Sequence, residues 1–369
     1  MGEIEMQKQA FFLFLKKVLI FFPLITVIAV VNFFTFRMSE DGEEKKYASL
    51  LLQGKNLSGK ESPFAKLCFN QRLLQKSLIE ECTTVKDVIV LGSSRSRQIS
   101  LTPFLGRYAS FFNYSVNASV LEDMVALYGL IKKRRKRLPS VVVVECSDFF
   151  LNKNYQRSPD FAAIEDGYDY LVQQSSFFDK TLKHKVKSTW SQIHGVPVFH
   201  FYDLFSFEGF QAAVKKMLKE IIYGCENKSE EEFVWFSDGH RFNQRQESEG
   251  VMRTILTQTE YSALDGFYEL DSIAKSLFEA FVGTMLFDGV HVVFFFPPYH
   301  PIAYKKILSN NKYKMVGEAQ AFFLQCAAKY GLEVFGIMIQ RIVGVMNLTF
   351  MIGSIHMLRR QKKSLSMVA

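Results

Sequence analysis

Two stretches decide how this chain folds: KDVIVLGSSRSRQIS at residues 86–100 and SVVVVECSDFF at residues 140–150. Each holds a short, continuously apolar run, which is what a strand buried on both faces requires. Each run then stops at small polar residues, Gly92-Ser93-Ser94 in the first and Ser147-Asp148 in the second. Working outward, ASFFNYSV (109–116) predicts a further strand, and a helical stretch from Leu121 to Arg137 leads into the valine run. Later, a helix over 268–286 leads to HVVFFFPP (291–298), and a helix over 313–330 leads to LEVFG (332–336). Strand–helix–strand order with apolar strands predicts an α/β fold, a three-layer arrangement with a parallel sheet covered on both faces. Sites in such sheets gather at the C-terminal ends of the strands, which here carry Ser93, Ser94, Asn113, Ser115, Ser147, Asp148, Pro297 and His300. Residues 150–265 are irregular, aromatic and polar, and read as an insertion around the site.

Composition narrows the class. An apolar fraction of 48% excludes an extended disordered chain, so a sizeable core is expected. The net charge of +8 is spread along the chain, so no nucleic-acid partner is indicated. The five cysteines show no CxxC or Cys/His spacing, which points away from a zinc site. A Cys68–Cys82 bridge is open to the chain if it lies in an oxidising compartment.

Val18 to Phe36 is a run of 19 residues without a charge. That is close to the roughly 20 needed to cross a hydrocarbon core. Lys8, Lys16 and Lys17 precede it, and the acid-rich stretch Glu40 to Glu44 follows. By the positive-inside rule the N-terminus is cytoplasmic and the bulk of the chain extracytoplasmic, in the periplasm or at the cell surface if bacterial. Residues 1–37 thus read as a cytoplasmic N-terminus and a single-pass anchor in the lipid bilayer, with a cleaved signal peptide as the competing reading. Residues 38–65 read as a Lys/Gly/Ser-rich linker without periodicity, and 66–336 as the α/β domain.

LGSSRSRQIS begins where the first strand is expected to end. Gly92 allows a sharp turn, and a helix starting there would aim its first amides at the turn. A serine held at such a place presents a free hydroxyl beside backbone donors for an oxyanion, as an acyl-transfer nucleophile needs. The bland alternative is a serine that caps a helix.

The succession DVIVLGSSRSRQIS, FFNYSVNASVLED and VVVVECSDFFLN resembles the SGNH/GDSL esterases and acyltransferases. It is most similar to their membrane-anchored, extracytoplasmic branch, and the resemblance spans residues 86–336. It implies a flavodoxin-like sheet of SGNH type, a serine nucleophile at Ser94 and no cofactor. Oxyanion donors would come from the second block, near Ser115 or Asn117, and from the third, at Ser147 or Asp148. Substrate contacts would involve Ser93, Arg95, Asn113, Ser115, Asn117, Asp148, Asp238 and His300. The implied partners are an acylated surface polysaccharide and a membrane acyl-transfer protein.

The family's terminal Asp-x-x-His is missing. After Gly336 the chain holds no Asp or Glu, and its one histidine there is His356. One reading of 337–369 is a poor second membrane helix ending in Arg359, Arg360, Lys362 and Lys363. The other is a shifted reading frame. Methionine has the single codon ATG and isoleucine codons begin with AT. In the frame one nucleotide earlier, Met338-Ile339 and Met351-Ile352 therefore each force aspartate. Met346-Asn347 forces glutamate, and Ser354-Ile355 permits histidine, so the frame can spell Asp-x-x-His.

Without that motif the acyl-transfer site is impaired as written, which leaves two function classes. The first is an extracytoplasmic serine esterase or O-acyltransferase acting on acyl esters of cell-surface glycans. The second is a non-catalytic membrane-anchored protein, either a partner in surface polymer modification or a degraded copy of an enzyme. WFSDGHRF (235–242), with Asp238, His240 and Arg241 around Gly239, is a further candidate for substrate contact, and His300 a substitute base. KKRRKR (132–137) reads as a solvated helix end that suits the helix dipole.

Overall fold

The computed structural model describes residues 42–58, 70–135, 137–155, 157–178, 233–243 and 260–336, with a few isolated positions besides. Among the described residues there are seven strands: β1 Val88–Leu91, β2 Phe111–Asn113, β3 Val141–Glu145, β4 Phe233–Trp235, β5 Arg241–Asn243, β6 His291–Phe295 and β7 Glu333–Phe335. Five of them form one parallel sheet in the order β2-β1-β3-β6-β7, while β4 and β5 pair as an antiparallel hairpin. The α-helices among the described residues are α1 Gly42–Leu52, α2 Gln71–Glu81, α3 Leu121–Arg134, α4 Glu165–Gln174, α5 Ser272–Phe287, α6 Pro301–Ser309 and α7 Met315–Tyr330.

The valine runs form the sheet's centre because β-branched side chains suit a pleated surface packed on both sides. One face, with Ile89, Leu91, Val142, Val144, Val292 and Phe294, packs into the main core together with residues from the helices. The opposite face, with Val88, Val90, Val141, Val143, Val293 and Phe295, packs against Ile99, Leu101, Phe104 and Tyr108. Each such side chain removed from water contributes about 1.5–3 kcal/mol, so burial on both faces is the main stabilising term. Helices α3 and α4 cross at backbone contact. A Cβ on Gly129 would lie 1.9 Å from the Gly167 oxygen, so neither glycine tolerates a side chain there.

Three expectations change. The stretch 38–65, read as a linker, contains α1, which buries Tyr47, Ala48 and Leu51. That spacing is one turn of a helical stripe. Leu57 then pairs with Trp235 through both backbone groups (2.7 and 2.9 Å), which ties this segment to the hairpin. The region 150–265, read as irregular, includes the regular helix α4, with Tyr168, Leu171 and Val172 buried. Cys82 is a free, buried thiol that donates to the Thr84 oxygen (3.0 Å), so the Cys68–Cys82 bridge is not formed.

Most of the 18–36 run and all of 337–369 lie outside the described residues, as does Cys68. Among the described residues no helix is long and apolar enough to cross a membrane.

Candidate functional site

From β1 the chain goes to β2 on one side of it and reaches β3 on the other, so the connections at the carboxyl ends of β1 and β3 diverge. In open parallel sheets such a switch point is where ligands bind. Gly92 and Glu145 stand on its two sides. A Cβ on Gly92 would lie 2.3 Å from Ser96 Oγ and 2.6 Å from both Glu145 Cβ and Oε2. Glycine is required here for close approach.

Glu145 is fully buried at the end of β3 and organises the turn after β1. Its Oε2 accepts from the Ser93 amide (2.6 Å) and its Oε1 from Ser93 Oγ (2.6 Å), with Ser147 Oγ as a third donor. Ser93 Oγ in turn accepts from the Arg95 amide (3.2 Å). Glu145 was not foreseen as a site residue. Its signal was a lone carboxylate directly after four valines, where the strand pattern calls for another apolar side chain.

Ser94, held between these anchored neighbours, is exposed. Among the described residues its hydroxyl and its amide have no hydrogen-bond partner. The helix expected to follow it is replaced by a succession of turns, with Ser96 N on Ser93 O (3.2 Å) and Ile99 N on Ser96 O (3.1 Å). A helix dipole is therefore no part of this turn, and any oxyanion donor must be an individual amide.

Arg95 ties the turn to the β3 and β6 ends of the sheet. Its Nη1 donates to Asp148 Oδ1 (3.4 Å), Ser147 Oγ (3.3 Å) and Tyr299 Oη (3.4 Å), and its Nη2 to the Pro297 oxygen (3.1 Å). The guanidinium lies 4.2 Å from the centre of the Tyr299 ring, and Tyr299 Oη donates to Asp148 Oδ2 (2.8 Å). Burial opposes the charge of Arg95, but Tyr299, Asp148 and Glu145 outweigh it and raise its pKa above the ordinary value. Burial, reinforced by Asp148, pushes the Tyr299 phenol well up. This cluster is closed on itself.

The other side is built by β2. Asn113 donates through Nδ2 to the Ser96 and Ile99 oxygens (both 2.9 Å) and accepts from the Ser115 amide (3.0 Å). Ser115 Oγ meets Ser96 Oγ at 2.9 Å. The hairpin β4–β5 docks on the outer edge of β2, where the Asn113 amide donates to the Asp238 oxygen (2.9 Å). Gly239, at φ +83°, allows that approach, because a Cβ would lie 2.4 Å from the Asn113 oxygen. At this tip Asp238 Oδ1 accepts from the His240 amide (3.2 Å) and contacts His240 Nδ1, while the imidazole stacks on Phe236 at 4.0 Å. The Arg241 amide donates to the Arg97 oxygen (2.8 Å), which joins the hairpin directly to the turn that carries Ser94.

The residues expected in the site therefore divide. Ser93, Asn113, Ser115 and Asp148 are buried and committed to internal hydrogen bonds, and Arg95 is committed to Asp148 and Tyr299, so these five hold the switch-point turns in place. Ser147, offered with Asp148 as an oxyanion donor, is likewise buried and donates to Glu145. Asn117 gives its amide to Gln71 Oε1 (2.8 Å) and keeps a buried Oδ1 without a partner. Asp238 faces His240. His300 caps α6, its Nδ1 accepting from the Ile302 amide (3.3 Å), which occupies the nitrogen a base would have used there for orientation. Sequence reasoning noted His240 only as part of its loop and overlooked Arg97 and Tyr299. Among the described residues no group of His, Cys, Asp or Glu is placed to hold a metal ion.

Compared with protein-family models, with curated proteins and with solved structures, the chain matches none.

Proposed function

We propose that this chain is a serine esterase or O-acyltransferase of SGNH type, anchored to a membrane through its 18–36 run and acting on acyl esters of cell-surface glycans outside the cytoplasm. The strand order β2-β1-β3-β6-β7 supports a flavodoxin-like sheet, with the site at its switch point. The observation that carries the reading is Ser94. It is an exposed serine whose hydroxyl and amide have no hydrogen-bond partner among the described residues, on a turn whose neighbours Ser93 and Ser96 are held by Glu145 and Ser115. Rigid backbone beside a free hydroxyl is what an acyl-transfer nucleophile and its oxyanion donor need.

A serine is unreactive at neutral pH without a base. Residues 337–369 supply no carboxylate to orient one. His240, oriented by Asp238 and stacked on Phe236, is the histidine–carboxylate pair that borders the Ser94 turn. In the proposed reaction His240 accepts the Ser94 proton as the hydroxyl attacks the ester carbonyl, and returns it to the departing alkoxide. Asp238 stabilises the imidazolium in between.

A fluorophosphonate probe on the full-length protein in detergent tests this reading. The wild type is expected to label, Ser94→Ala to lose about 10³-fold or more, and His240→Gln to slow labelling by about 10²–10⁴-fold. Undiminished labelling of Ser94→Ala overturns the assignment. The second reading, a non-catalytic partner in surface-polymer modification, is favoured by one observation: Ser94 makes no hydrogen bond to a histidine among the described residues. It predicts a wild type that does not label at all.

A further inference from the structure

Arg97 lies three residues beyond Ser94 on the same turn. It is half-buried, and among the described residues its guanidinium has no hydrogen bond, ion pair or ring contact. Burial pulls its pKa down to about 10, with only the charge of Glu145 acting against that fall. Glu145 is already the acceptor for Ser93 and Ser147. The next cation is Arg241, fully enclosed, which stacks on Trp235 at 3.9 Å and donates to the Ser115 oxygen (2.7 Å) and Gln71 Oε1 (3.3 Å). Burial and then the charge of Arg97 push Arg241 well below its ordinary pKa. The turn that presents Ser94 thus carries one committed arginine, Arg95, and one uncommitted among the described residues, Arg97, with the enclosed Arg241 of β5 behind it.

A partly buried guanidinium without an anion is costly, and its planar fork of donors matches a carboxylate or phosphate. We infer that Arg97 binds an oxyanion of the substrate, so that the glycan whose ester reaches Ser94 is an acidic one, bearing carboxylate or phosphate groups. The inference rests on the Ser94 reading for the word substrate, but the anion site itself does not. A neutral glycan would leave Arg97 as uncompensated as it is now, whereas an acidic one places its charge beside the ester under attack. Arg241, behind it, adds a second positive charge to the field without leaving its own oxygen partners.

Thermal unfolding of the full-length protein in detergent, in a zwitterionic buffer of low ionic strength, tests this. Inorganic phosphate and sodium glucuronate are titrated separately, with sodium chloride matched in ionic strength. One of the two is expected to raise Tm saturably, on the order of 5 °C once it exceeds its Kd about a hundredfold, and the anion that does so identifies the group recognised. Arg97→Gln is expected to unfold no lower than the wild type without anion, because it removes an uncompensated charge, and to lose the anion-dependent rise. Arg97→Lys is expected to keep part of the rise, and Ser94→Ala all of it. Equal rises in wild type and Arg97→Gln, no rise beyond that with chloride, or a lower Tm for Arg97→Gln in the absence of anion would each overturn the proposal. Failure of Ser94 to label while the anion effect persists would instead remove the catalytic reading and leave the anion site standing.

Discussion

Glu145→Ala is expected to destabilise the domain by about 4–6 kcal/mol and to abolish reactivity at Ser94. The carboxylate is fully buried and takes three donors: the Ser93 amide, Ser93 Oγ and Ser147 Oγ. Each of these, left without an acceptor in the interior, costs about 1–3 kcal/mol. Arg95 and Arg97 would also lose the negative charge that supports them at this edge. Glu145→Gln keeps the shape but must turn an NH2 toward groups that already donate, so about half of that loss is expected. Urea unfolding measures the stability change, with an unchanged m-value showing that the folded state remains the same. A loss below about 1 kcal/mol for Glu145→Ala would mean that the turn is held by something else.

Asp123→Ala is the second large effect, expected at about 3–5 kcal/mol. Asp123 and Arg72 form a two-pronged pair, Nε to Oδ1 at 2.6 Å and Nη2 to Oδ2 at 2.7 Å, with side chains 0% and 4% exposed. Asp123 also accepts from the Val120 amide (2.9 Å) at the start of α3, and Arg72 reaches the Ala118 oxygen (3.3 Å). Removing the carboxylate strands a buried guanidinium and frees the loop from Asn117 to Val120, where Ala118 sits at φ +47°. The double variant Arg72→Met, Asp123→Leu is expected to recover most of the stability, because an apolar pair of similar size needs no compensation. Equal losses in the single and double variants would show that the loop contacts, and not the charge pair, set the effect.

The sheet was legible because its strands announce themselves. Val88–Leu91, Val141–Glu145 and His291–Phe295 lie inside the runs read as strands, and α3, α5 and α7 fall where helical stretches preceded or followed them. A parallel strand buried on both faces leaves an unbroken apolar run, which few other structures produce. The segment around α1 escaped because its stripe is only Tyr47, Ala48 and Leu51, set among lysines and glycines that read as linker. Helix α4 escaped because its stripe is a single turn, Tyr168, Leu171 and Val172, set among acidic and amide residues in an otherwise irregular stretch.

The site was legible by location more than by role. Sequence order put Ser93, Ser94, Asn113, Ser115 and Asp148 at the carboxyl edge, where they are. It could not separate the serine that is free from those that are bound, because that depends on where Glu145 places its two oxygens. The partnership of Asp238 with His240 was readable as proximity in DGH. Its place beside the Ser94 turn was not, since it depends on Leu57, Asn113 and Arg97 holding a distant hairpin through backbone hydrogen bonds.

The most direct test is to find which atom reacts. After exposure of the full-length protein to a fluorophosphonate, trypsin releases the peptide Asp87–Arg95, which holds both Ser93 and Ser94. Fragment-ion mass spectrometry distinguishes the two serines. The account predicts a phosphonyl adduct on Ser94 and an unmodified Ser93, since the latter's hydroxyl is committed to Glu145. An adduct on Ser93, or on another residue with this peptide untouched, would contradict it.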